Sequence, residues 1–179
     1  RTNTRVMQHL DDQENVALVT TRQLAVNDFA HIFMTDRITD QCYISTRTKE
    51  GGYVFPLYSY HDDGTRTPNF APVELSALTR QLTTEPSPED ILDYIYAVLH
   101  SPSYREKYKE FLKTDFPRVP VPTQADFDRL VPLGRELREL HLMKSPIIDD
   151  YDTTYPVAGD NTVDKLRYED GKVYINATQ

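Results

Sequence analysis

The chain is 179 residues long, 39% hydrophobic and 27% charged, which is one domain's worth of sequence and enough to bury a single core. No apolar run approaches the ~20 residues that span a bilayer, and one cysteine, Cys42, excludes an internal disulfide or a multi-cysteine metal site. Twenty basic against 28 acidic residues give a net charge of −8, unusual for a free-standing nucleic-acid binder.

The charge is unevenly placed. Residues 67–99 hold one basic and five acidic groups, and residues 146–179 hold three and seven, so these two stretches account for the whole imbalance. An anionic partner is expected to meet residues 1–66 or the central helical part. The opening Arg1-Thr2-Asn3-Thr4-Arg5 has neither an initiator methionine nor an apolar segment behind it. That reads as a piece of a larger cytoplasmic polypeptide.

Val6, Met7 and Leu10 share one face of a short first helix. Four runs rich in β-branched and aromatic residues follow: Val16–Val19, His31–Met34, Cys42–Ser45 and Tyr53–Tyr58. Each reads as an antiparallel strand, the last an edge strand because Pro56 cannot donate to a ladder. His61-Asp62-Asp63-Gly64 is a turn sequence. At Ser87-Pro88-Glu89-Asp90 the period becomes helical, with an N-cap serine, proline at the first position and acids in the first turn. Ile91, Leu92, Ile95, Val98 and Leu99 form its apolar stripe. Ser101-Pro102-Ser103 restarts a helix expected to bury Tyr104, Tyr108, Phe111 and Leu112, leaving a basic face of Arg105, Lys109 and Lys113.

The prolines of Phe116–Pro122 predict an extended segment. Thr123 and Asp126 read as a capping box for a third helix carrying Phe127, Leu130, Leu133, Leu137 and Leu140, with Pro132 expected to kink or split it. The tail reads as two strands, Thr162–Tyr168 and Lys172–Asn176, joined through Asp170-Gly171, a strong hairpin signal. The order β, α, β predicts an α+β fold: an antiparallel or mixed sheet from the N-terminal strands and C-terminal hairpin, with three central amphipathic helices. A single domain over 1–179 is expected, with a strand-rich part (1–66), a helical part (87–145) and C-terminal strands (155–176).

Chemistry signals are thin. Six glycines leave little scope for a phosphate-cradling loop, and neither His-Glu-x-x-His nor Asn-Pro-Pro-Tyr occurs. Asp149, Asp150 and Asp152 lack the glycine and distal glutamate of a calcium loop, so they read as a solvated acidic stretch. His31 reads as a core or edge-strand histidine. His100, Ser101 and Asp115 have the residue types for acyl transfer, but the cap explains Ser101. Two polar loops are better candidates. Thr20-Thr21-Arg22-Gln23 follows the first strand, and Ser45-Thr46-Arg47-Thr48-Lys49 follows the third. Arginine grips guanine bidentately, glutamine grips adenine, and hydroxyls fasten to phosphates. Arg22, Gln23, Arg47, Thr48 and Lys49 are therefore the candidate DNA-binding residues, with no catalytic or metal residue expected.

Long strings of the chain resemble a known family. They are Arg5-Val6-Met7-Gln8-His9-Leu10, Asn15 through Gln23, His31 through Asp40, Tyr53 through Tyr58, Pro88 through Arg105, Phe116-Pro117-Arg118-Val119-Pro120 and Leu133 through His141. Together they resemble the C-terminal target-recognition region of type ISP restriction-modification enzymes. Such enzymes are single bacterial polypeptides with nuclease, helicase-like, adenine-methyltransferase and recognition parts. The resemblance implies a DNA target-recognition module, catalytically silent itself. Its partners would be double-stranded DNA and the methyltransferase and helicase domains of the same polypeptide. S-adenosylmethionine, ATP and magnesium would serve the parent chain, with no cofactor in this stretch and no membrane. Two other readings stay open: a domain bracing methyltransferase against motor without reading bases, and a nucleic-acid enzyme with its own acidic site.

Overall fold

The computed structural model describes residues 4–25, 28–44 and 50–179. The chain forms two compact units, Arg1–Ser145 and Pro146–Gln179, each described by itself. The first unit opens with α1 (Thr4–Met7) and then strands β1 (Ala17–Thr20), β2 (Ile32–Thr35) and β3 (Tyr53–Pro56). These make an antiparallel sheet of order β2-β1-β3, in which Leu18 faces Met34 on one side and Phe55 on the other. Pro56 thus closes an edge strand, as its missing N–H requires. Strands β4 (Tyr58–Tyr60) and β5 (Arg66–Pro68) form a hairpin across the His61–Gly64 turn. Asp63 fastens that turn by accepting from the Thr65 backbone N–H at 2.9 Å and its hydroxyl at 2.6 Å, which lowers the carboxyl's pKa.

The helices are α2 (Pro72–Thr79), α3 (Pro88–His100), α4 (Pro102–Lys107), α5 (Lys109–Leu112) and α6 (Gln124–His141). At α3 the Ser87 hydroxyl oxygen accepts from the Asp90 N–H while the Asp90 carboxylate accepts from the Ser87 N–H, a complete capping box. Tyr94, Tyr96, Val98 and Leu99 of α3 join Ile32 and Met34 of the sheet and Phe127 and Val131 of α6 in the main core. A smaller cluster of Met7, Leu10 and Ala17 lies under α1.

Helices α3 and α6 cross closely at Gly134. A Cβ there would stand 1.8 Å from the Asp93 carbonyl oxygen, so only glycine permits this approach. Asp93, with no exposure, accepts from Arg138 at 2.6 and 3.0 Å, while Arg135 bridges it at 3.5 Å and reaches Asp90 at 2.7 Å. The Asp93 hydrogen bonds hold the Arg138 guanidinium above its usual pKa. Two buried tyrosines pin the proline-rich segment: the Tyr94 hydroxyl donates to the Pro120 oxygen and the Tyr104 hydroxyl to that of Arg118, both at 2.9 Å.

Four expectations change. Residues 41–44 of the expected third strand form a turn, because the Asp40 carboxylate accepts the Cys42 N–H at 2.7 Å and the Asp40 carbonyl that of Tyr43 at 3.2 Å. Ser45 lies outside the described residues. Phe111 is 75% exposed, because the helix breaks at Tyr108 (φ −108°, ψ 17°) and α5 starts on a new phase. Leu133 is half exposed, since Val131 and Gly134 take the face toward α3. Pro132 neither splits nor ends α6; it lies exposed, where water can serve the carbonyl that its missing N–H leaves unpaired.

In the second unit a 3-10 turn (Pro146–Asp149) precedes β6 (Arg167–Glu169) and β7 (Lys172–Tyr174), which pair with each other antiparallel. Asp170 and Gly171 both have positive φ, 50° and 75°, the geometry of a tight two-residue hairpin turn. The α+β class holds, with the strands in three small antiparallel sheets. Among the described residues no helix is long and apolar enough to cross a membrane.

At the far end of the α3–α6 pair, Tyr96 is fully buried and its hydroxyl hydrogen-bonds His141 Nδ1, while His100 Nδ1 donates to the Tyr96 carbonyl oxygen at 3.0 Å. Burial holds His100 below the ordinary imidazole value of 6.5, against that hydrogen bond, which raises it. The unfolded chain therefore binds a proton below pH 6.5 that the folded one resists. Stability present above that pH is lost as the pH falls through it toward the folded value. Melting temperature should drop between pH 7.5 and 5.5, and drop less in His100→Gln.

Candidate functional site

The loop after β1 is held in place by the segment after α5. The Leu24 N–H donates to the Lys113 carbonyl at 3.1 Å, and the Gln23 side-chain amide donates to that of Thr114 at 3.3 Å. Arg22 Nε donates to Asp115 Oδ1 at 3.1 Å, the two side chains being 55% and 52% exposed. A pair that open to water is worth about 0–1 kcal/mol, so its guanidinium is available to a stronger acceptor. Asp115 stays below the usual carboxylate range through the Phe116 backbone N–H first and Arg22 second. Behind them Thr21 is buried and its hydroxyl donates to the Gln23 carbonyl at 3.0 Å, fixing the turn.

The Arg22 guanidinium carbon also stands 5.9 Å from the centre of the Phe116 ring. Phe116 meets Tyr53 and Phe55 of β3 edge-on, with centroids 5.0 and 5.6 Å away. Tyr53 is 47% exposed and Phe55 42%. Sequence reasoning placed both in a strand and Phe116 in an extended segment without joining them. The signal was present: 53 and 55 alternate onto one face of an edge strand.

Of the expected contacts, Arg22 and Gln23 sit together on this surface, while Arg47, Thr48 and Lys49 lie outside the described residues. The basic side chains of the expected face on α4 and α5 have partners within the chain. Lys109 pairs with Asp28 at 3.3 Å and Lys113 with Glu110 at 2.9 Å, while Arg105 Nε donates to the Leu99 carbonyl at 2.7 Å. His100, Ser101 and Asp115 do not assemble. His100 bonds Tyr96, Asp115 bonds Arg22, and the Ser101 oxygen caps α4 by accepting from Tyr104 N–H. His31, partly buried, adjoins β2 and meets the Phe29 ring edge-on. Among the described residues no three His, Cys, Asp or Glu side chains converge as a metal site.

A cleft of about 780 Å³ opens beside β3, walled by Arg5 and His9 on one part and Gln41, Gly51 and Gly52 on another. Asp40 is the one acidic side chain among the described residues that line it.

Residues 1–179 match the family described as Type ISP C-terminal specificity domain. Among solved structures, the chain is similar to the DrdV–DNA complex seen by cryo-electron microscopy. The two share 32% identity and a TM-score of 0.64 over 78% of this chain and 13% of that one. It is also similar to a nuclease-deletion mutant of the Type ISP restriction-modification enzyme LlaGI in complex with a DNA substrate mimic. There the identity is 25% and the TM-score 0.62, over 93% of this chain and 14% of that one. The chain therefore spans only about a seventh of these larger polypeptides. No curated protein matches it.

Proposed function

Because the chain belongs to the Type ISP C-terminal specificity domain family, we propose that it reads a duplex DNA target on behalf of a larger restriction-modification polypeptide. The observation that carries this is the Arg22–Gln23 loop, braced by Thr21, Thr114 and Asp115 so that both side chains stay at the surface. A base-reading group must be pre-positioned and yet exchangeable. A half-exposed ion pair worth about 0–1 kcal/mol meets both needs, since a bidentate base contact is worth about 1–3 kcal/mol. By residue type, Arg47 would add a further fork, Lys49 a point charge and Thr48 a hydroxyl. The domain positions the duplex, the methyltransferase part extrudes the target adenine, and the motor and nuclease respond to the same recognition.

S-adenosylmethionine, ATP and magnesium are held by those other parts. Acting on DNA in a bacterial cell, the protein works in the cytoplasm. Phosphate contacts needed for affinity come partly from sister domains, which reconciles DNA binding with a net charge of −8.

The test is binding of the full-length polypeptide to target and scrambled duplexes at two salt concentrations. Arg22→Ala and Arg47→Ala should each cost about 1–3 kcal/mol on the target and relax preference at one base pair. Lys49→Ala should weaken both duplexes alike and lower the salt slope by about one. Three variants indistinguishable from the parent on both duplexes would remove these loops from the interface.

A further inference from the structure

Resting on the DNA-reading proposal, we propose that Tyr53, Phe55 and Phe116, with Arg22 beside them, form a stacking site for one unpaired nucleobase. Asp115 in turn occupies Arg22 until DNA arrives. Three aromatic rings meet at one point of the surface, two of them more than two-fifths exposed, which makes a contiguous aromatic patch rather than a lone exposed ring. Tyr53 and Phe55 are two residues apart on a strand, so their backbones stand about 7 Å apart, twice the ~3.4 Å rise of a stacked base. A flat base can lie against either ring. Arg22 already lies near the Phe116 ring, and a guanidinium on an aromatic face is an arrangement that also accepts bases.

The local charge favours a nucleic acid over an apolar protein partner. Arg22 and Arg118 both act on Asp115, so two guanidiniums face that one carboxylate. The Arg22–Asp115 contact is open to water on both sides, so exchanging the carboxylate for a phosphate or a base edge costs little. Extruding a base for methylation leaves its partner unpaired, which gives such a site an occupant in the proposed function.

The experiment uses the full-length polypeptide and two fluorescent duplexes of one sequence, one fully paired and one with a single unpaired thymine. The parent should prefer the second. Because stacking on an aromatic is worth roughly fivefold to 150-fold per base, Tyr53→Ala with Phe55→Ala should erase that preference, and Tyr53→Phe should retain it. Asp115→Asn should tighten binding to both duplexes by up to about fivefold, the worth of the exposed pair it removes, a gain that misfolding cannot imitate. A parent that binds neither duplex overturns the DNA-reading proposal itself. A parent that binds both, with the Tyr53/Phe55 variant keeping the same preference or losing both duplexes equally, overturns the stacking site alone. So does an Asp115→Asn variant that binds no tighter.

Discussion

Replacing Asp93 by alanine should cost about 3–5 kcal/mol. Asp93 has no exposed surface and accepts two charge-assisted hydrogen bonds from Arg138, whose side chain is only 15% exposed. Removing the carboxylate strands that guanidinium against the α3–α6 seam. Arg135 is half exposed and keeps Asp90 at 2.7 Å, so it turns outward and loses little. The penalty belongs to the unpaired charge rather than to the pair's own strength, and a second substitution separates the two. Arg138→Met added to Asp93→Ala should recover most of the loss, because apolar replacement of a buried pair is often neutral. Urea unfolding of the four proteins of this cycle is the measurement, and simple additivity of the two costs would show that the seam tolerates a lone charge.

Gly134→Ala should destabilise by about 3 kcal/mol, even though alanine is the better helix former by about 1 kcal/mol. The two effects oppose each other and the crossing decides. A methyl 1.8 Å from the Asp93 carbonyl oxygen and 2.6 Å from its carbon meets backbone, which cannot swing aside as a side chain would. The helices must move apart, loosening Tyr94 against Phe127, whose ring centroids are 5.5 Å apart. For a chain of 179 residues that corresponds to a fall of roughly 6–12 °C in melting temperature. An unchanged or raised melting temperature would mean that the helices do not cross at Gly134.

Local signals made much of this fold legible. Ser87-Pro88-Glu89-Asp90 announced α3 through capping chemistry that operates within four residues, and Asp170-Gly171 announced its hairpin for the same reason. Errors arose where local and longer-range demands compete. Cys42-Tyr43-Ile44 has strand composition, yet Asp40 captures its backbone N–H groups and turns the chain. Helix α2 went unforeseen because its start has no side-chain cap and it buries no residue fully, although Pro72 at its first turn was a usable sign. Leu133 and Phe111 carry an apolar pattern, but which residues face inward depends on Gly134 and on the break at Tyr108.

The candidate site divides the same way. Exposed Arg22 and Gln23 at a strand end could be read from residue type and position. Their partners, Asp115 and Thr114, lie some ninety residues on, and no local pattern connects them. The meeting of Tyr53, Phe55 and Phe116 is likewise a product of tertiary packing. Phe116 is held near β3 from both sides, by the bonds of residues 113–115 to the loop after β1 and by Tyr94 and Tyr104 on the segment that follows it.

The seam between α3 and α6 has one seat. Sliding one helix along the other by a turn, about 5.4 Å, would carry Arg138 away from Asp93 and bring a side chain rather than Gly134 onto the Asp93 carbonyl. Steric and ionic keys thus agree on a single alignment, and neither involves the loop after β1. Under the DNA-reading proposal, the exposed Arg22 and Gln23 can therefore be exchanged without disturbing how the helices fit.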